Sequence, residues 1–203
     1  MNRTILLAAL LAAAPALYAQ AVDKRTPDQT VKDTIAHVME AIRNEPAAAA
    51  GDPDRIYAVV QKEFLPSTDF MLTAQYAVGS AWDKATPAQR EALFREFQTL
   101  LARTYALQLT QMQGQDAQFR YGAPARPAAG GADAVVRTTV IAGGDPMPIA
   151  YRLHRGSAGW KIYDIDMSGA WMIQVYRQQF AARLASGGID GLINYLAAHN
   201  RRP

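Results

Sequence analysis

Apolar positions recur with helical spacing over roughly the first half of the chain and then switch to alternation. Thr26-Pro27-Asp28-Gln29 carries the marks of a helix start: a capping hydroxyl, proline at the first turn and glutamine at the third helical position. Val31, Ile35, Val38, Met39 and Ile42 follow on one helical face, and Pro46 ends the run. Residues 47–51 read as a small-residue linker, and Asp52-Pro53 opens a helix with Ile56, Val59, Val60 and Phe64 on one face. Pro66-Ser67-Thr68-Asp69 breaks and recaps, 70–78 is a short helix that is apolar around much of its circumference, and Gly79 stops it. Thr86-Pro87-Ala88-Gln89 repeats the first start signal. The helix it opens, 87 to about 112, carries a wide stripe of Leu93, Phe94, Phe97, Leu100, Leu101 and Tyr105.

After Gly114 the period becomes two. Residues 117–121, 133–141, 149–154 and 160–166 alternate. Val136, Thr138 and Val140 share one face, as do Ile149, Tyr151 and Leu153. Turns are expected at Gly143-Gly144-Asp145-Pro146 and at Gly156-Ser157-Ala158-Gly159. A long helix then follows, interrupted at Gly187-Gly188, with a second helix starting at once. The expected class is α+β: a curved antiparallel sheet of about four strands with helices packed on one face.

The N-terminus has the form of a targeting segment over 1–21. Asn2-Arg3 is followed by an apolar stretch at 5–14, too short to span a bilayer, then by Pro15 and the small-residue site Ala19-Gln20-Ala21, with cleavage after Ala19 as the other option. A membrane anchor is the competing reading. Residues 22–203 then form one domain. The chain has no cysteine, so the exported fold relies on packing without disulfides. The formal net charge of +3 includes Arg3 and is too small for a nucleic-acid footprint.

Chemistry is sparse. His37, His154 and His199 have no second ligand at metal spacing on the same element. Asp164 and Asp166 share a strand face, and Asp23 or Asp69 could complete a carboxylate pair; the simpler reading is that Asp164 accepts bonds from backbone or arginine. Ser67, Ser80 and Ser157 lack a nucleophile-elbow context, and the paired glycines match no phosphate loop. Aromatic positions such as Phe70, Tyr76, Trp82, Phe97, Tyr105, Tyr151, Trp160, Trp171 and Tyr176 fit a packed core or a ligand cavity equally well.

Three groups of residues resemble the MlaC (toluene-tolerance) family of periplasmic phospholipid-binding proteins. The first is Asp69-Phe70, Ala77-Val78-Gly79, Trp82 and Thr86 to Arg90. The second is Leu100 to Ala106. The third is Trp160-Lys161-Ile162-Tyr163-Asp164, Tyr176-Arg177 with Phe180, and Gly187 to Leu192. The resemblance implies a soluble, non-enzymatic periplasmic carrier. It would shuttle phospholipid between an outer-membrane lipoprotein–porin complex and an inner-membrane ABC transporter, maintaining outer-membrane lipid asymmetry. It implies a hydrophobic cavity between sheet and helices, no cofactor and no metal, with phospholipid as cargo. A monomer is expected, with Arg90, Arg103, Arg152 and Arg177 available for docking or for a phosphate group. Two positions depart from the pattern: Ser168, where an acid is expected, and Trp171, where a small residue is expected and where the indole is expected to narrow the cavity or alter its mouth.

Two acyl chains carry roughly 30 methylenes, whose exposure to water costs on the order of 20 kcal/mol, so a carrier needs a comparably apolar interior. The expected wall combines Leu93, Phe97, Leu100 and Leu101 of the long helix, Val136, Val140, Tyr151 and Leu153 of the sheet, and Met71 and Tyr76 of the short helix. Trp160, Tyr163, Asp164, Tyr176, Arg177 and Asp190 are expected to hold the fold. Two rivals remain at this stage: an enzyme on a cone-shaped α+β fold using Asp164 and Asp166, and a module with a filled core that bridges two membrane complexes.

Overall fold

The computed structural model describes residues 23–112, 117–128, 130–144 and 146–201. The expected targeting segment, Gly114 and Asp145 lie outside them. Both Thr-Pro-x-Gln starts form capping boxes. The amides of Gln29 and Gln89 donate to the hydroxyls of Thr26 and Thr86, and each glutamine side chain accepts from the cap amide. Amides that a helix start leaves without partners are thereby satisfied. They open α1 (Pro27–Asn44) and α6 (Pro87–Gln111).

The stretch expected as a linker contains a short helix, α2 (Pro46–Ala49), because the Glu45 carboxylate accepts from the Ala48 amide and Ala48 is fully buried. Asp52 caps α3 (Pro53–Val59) and Asp69 caps α4 (Phe70–Val78). Between them the chain passes through a π-helical turn, Val60–Phe64, and a 3-10 turn, Leu65–Ser67. A one-turn helix, α5 (Ala81–Lys84), buries Trp82.

Among the described residues, five antiparallel strands form one sheet in chain order: β1 (Gln118–Tyr121), β2 (Asp133–Ile141), β3 (Met147–Gly156), β4 (Gly159–Met167) and β5 (Ala170–Trp171). The fifth, beyond the four expected, arises from a two-residue turn. Ser168 and Gly169 both have positive φ, the geometry that suits a tight hairpin, and the Gly169 amide donates to Asp166 Oδ1. The last helix, α7 (Met172–Asn200), is broken at Gly188, where φ is +60. The gap expected at Gly187-Gly188 is this break.

The inner sheet face is set by pairing. Val136 faces Tyr151, Tyr151 faces Ile165, and Leu153 faces Ile162. Ile162 and Ile165 are three apart yet share this face. A bulge leaves Tyr163 over between the Leu153–Ile162 and Arg152–Asp164 pairs. Helix α1 lays Val31, Thr34 and Val38 toward this face. On the far side of α6, Phe97 meets Tyr176 and Phe180 edge-on at ring separations of 5.0 and 5.1 Å, joining α6 to α7.

Candidate functional site

A cavity of about 110 Å³ lies between α1, the π-helical turn, the end of α6 and the inner sheet face. Helix α1 supplies Val31, Thr34, Ile35, Val38 and Met39, and the π turn supplies Val60 and Phe64. Tyr105, Gln108, Leu109 and Met112 come from the end of α6. The sheet closes it with Phe119, Val140, Met147, Ile149, Tyr151, Ile162, Ile165 and Met167. Val31, Val60 and Ile162 are fully buried, whereas Gln108 is exposed and Met39, Met112 and Met147 are half-buried, which places the mouth at the methionine end. Four of the six methionines among the described residues line this space. Their unbranched, soft side chains reshape readily around an irregular apolar guest.

Among the described residues, the wall carries no carboxylate, ammonium, guanidinium or imidazole. The Thr34 hydroxyl is engaged, donating to the Thr30 carbonyl at 2.7 Å. Among the described lining residues, two phenols are the only titratable groups. Burial pushes Tyr151 up to about 12 against an opposing hydrogen bond with Thr138, and burial pushes Tyr105 above the ordinary tyrosine range. Both are neutral at neutral pH. Such a surface offers dispersion contacts and little chemistry.

Of the ten residues expected on the wall, Val140 and Tyr151 lie there. Leu93, Phe97 and Leu101 are buried in the core, Phe97 against the α7 aromatics, and Leu100 packs against the same cluster half-buried. Val136 and Leu153 are buried in the sheet core beyond the cavity. Met71 and Tyr76 are surface residues, 41% and 42% exposed. Helix α4 buries Phe70, Thr73, Ala74, Ala77 and Val78 instead, a choice its all-round apolar sequence did not reveal. The α1 stripe and the methionines were missed as wall because core and cavity use the same residue types. A cluster of Met at the ends of several elements was the one available signal.

The carboxylates of the enzyme rival are otherwise occupied. Asp164 Oδ1 accepts from the amides of Ile165 and Ile173, each at 3.0 Å, and Oδ2 accepts from Arg152 at 3.0 Å. Burial pushes this carboxyl up, opposed by those three donors. Asp166 holds the Ser168-Gly169 turn. The four arginines singled out also have structural contacts. Arg90 donates to the Trp82 carbonyl, Arg103 to Asn200, Arg152 to Asp164, and Arg177 to Tyr76. Trp171 is off the cavity wall, on the opposite sheet face from Tyr151, so it does not narrow the space or form its mouth. Among the described residues, no group of three or more His, Cys, Asp or Glu is placed to hold a metal.

Known proteins resemble this chain in sequence and fold. The family model described as MlaC protein matches residues 32–198. The intermembrane phospholipid transport system binding protein MlaC of Haemophilus influenzae is 22% identical over 188 residues, covering 90% of this chain and 86% of that protein. The phospholipid-binding protein from Ralstonia solanacearum, solved in complex with a phospholipid, superposes with a TM-score of 0.79 at 35% identity, covering 87% of this chain and 97% of that one.

Proposed function

The chain belongs to the MlaC family, and on that premise we propose that it is a phospholipid carrier whose acyl chains occupy the cavity beneath α1. The observation that carries this reading is a cavity whose described lining residues include no charged side chain and are mainly aliphatic, aromatic and methionine. The phospholipid held by the Ralstonia solanacearum relative supports it. An acyl chain gains about 0.8 kcal/mol for each methylene it hides from water, so this surface alone favours tail over headgroup inside. The headgroup stays at the methionine mouth, where solvent can hydrate it.

The same cost that keeps the tails inside prevents free release into water, so unloading requires a docked membrane complex. We assign residues 22–203 as one lipid-binding domain acting in the periplasm after removal of 1–21, without a cofactor and without a catalytic step. Its partners in this reading are an outer-membrane lipoprotein–porin complex and an inner-membrane ABC transporter. No helix among the described residues is long and apolar enough to cross a membrane.

The test is native mass spectrometry, with solvent extraction, of protein purified from cells. Phospholipid is expected to co-purify in fixed stoichiometry. Protein that emerges lipid-free and takes up none from vesicles would overturn the carrier reading in favour of a bridging module.

A further inference from the structure

Beyond the main cavity lies a second void of about 10 Å³, room for roughly one water. It is bounded on its far side by Thr68, Phe70, Thr73, Tyr163, Asp164 and Met172. The two spaces share four wall residues: Phe64, Tyr105, Ile162 and Ile165. The Phe64 and Tyr105 rings meet edge-on, 5.6 Å between centroids and 75° between planes. Resting on the carrier reading above, we infer that Phe64 is the partition that sets acyl-chain length, and that the second void is a subsite for the tail end of a longer chain.

Phe64 is the movable member of the four. Ile162 and Ile165 are held in β4, and the Ile162 carbonyl accepts from the Asp69 amide at 2.8 Å. Tyr105 is buried within the regular helix α6. Phe64 is half-buried and ends the π-helical turn, where the Leu65 amide reaches back to the Val60 carbonyl. Such wide turns interrupt the regular helical ladder and recur at functional sites. The 3-10 turn follows immediately, so the segment bearing Phe64 is the least regular helical stretch on the cavity wall.

The second void can receive hydrocarbon despite its polar names. Thr73 donates its hydroxyl to the Tyr163 carbonyl at 2.7 Å, and Asp164 has both oxygens engaged. A tail arriving there strips no hydrogen bond from these groups, and it meets the Phe70 ring and the Met172 side chain. Each two-carbon extension that becomes buried is worth about a tenfold gain in affinity.

The experiment compares delipidated wild type with Phe64→Ala, using saturated diacyl phosphatidylglycerols of stepped chain length and measuring affinity for each. The chain length of tightest binding is expected to rise by at least one two-carbon step in the variant. Adding Met172→Phe, a modest enlargement of a side chain that borders the second void and not the first, is expected to return the Phe64→Ala preference to that of wild type. An unchanged length preference in Phe64→Ala overturns the partition, and a longer preference that survives Met172→Phe overturns the subsite. Wild type that binds none of the series defeats the carrier reading itself, a distinct result. Should Phe64→Ala not fold, as judged by circular dichroism, Phe64→Leu is read by the same criteria.

Discussion

The guanidinium of Arg152 lies over the indole of Trp171, 3.8 Å from the ring centroid. Strand alternation turns Arg152 to the face opposite Tyr151, so the indole braces the outer side of the sheet while the cavity lies on the inner side. The same guanidinium donates to Asp164, linking β3, β4 and the start of α7. Trp171→Ala is therefore expected to cost about 1 kcal/mol of stability. Its bound lipid, measured by extraction, is expected to match wild type in amount and chain length; a changed lipid profile would return position 171 to the cavity.

Asp164 is a fold residue, and its removal has a defined cost. Asp164→Ala strands the amides of Ile165 and Ile173 and leaves Arg152 without its carboxylate. Two unpartnered buried amides predict a loss of about 2–4 kcal/mol in denaturant unfolding. Asp164→Asn keeps an acceptor at Oδ1 and is expected to lose less than half of that. Folded Asp164→Asn protein is expected to retain lipid, whereas an enzyme using this carboxylate would lose function without losing stability.

Charge placed on the wall should repel cargo while sparing the fold. Ile149 lines the cavity but is only half-buried, near the mouth. Ile149→Lys can extend its ammonium to solvent along the apolar stem, so the sheet survives. Co-purified phospholipid is expected to fall at least about tenfold, because the hydrated ammonium then stands at the mouth through which the tails must pass. Unchanged lipid content with an intact circular dichroism spectrum would place the cargo elsewhere.

Alkaline stability follows from the buried phenols. Burial raises Tyr151 to about 12 in the folded protein, from an ordinary value of about 10. The folded state thus holds this proton more tightly than the unfolded state. The contribution is complete below about pH 10 and is lost as pH climbs toward about 12. Its size is on the order of 2 kcal/mol. Unfolding midpoints for wild type are expected to fall through that window, and Tyr151→Phe is expected to flatten the fall. An identical decline in both would show that other groups control alkaline unfolding.

Local signals were legible where their causes are local. Thr26 and Thr86 cap helices because hydroxyl, proline and glutamine act within four residues, and both boxes are present. Val136, Thr138 and Val140 share a buried or cavity-facing side because alternation needs no partner to be read. Resemblance in the stretches around Trp160, Tyr176 and Gly187 named the family whose model spans residues 32–198. The cavity was less legible. Leu93, Phe97 and Leu101 sit on the wide apolar stripe of α6 and went to the packed core, Phe97 against the α7 aromatics.

The long helices and the four longer strands, both capping boxes, strand alternation, the Gly188 break and membership of a family were determined by the order of residues, since each depends on neighbours in the chain or on a linear motif. Which apolar residues touch each other and which surround empty space was decided only in three dimensions. Burial is rewarded equally whether a leucine meets a ring, a methionine or a guest chain. The distinction between Leu101 in the core and Ile149 on the wall lies in how α1, α6 and the sheet fail to close completely, a property of packed elements that no single stretch of sequence contains.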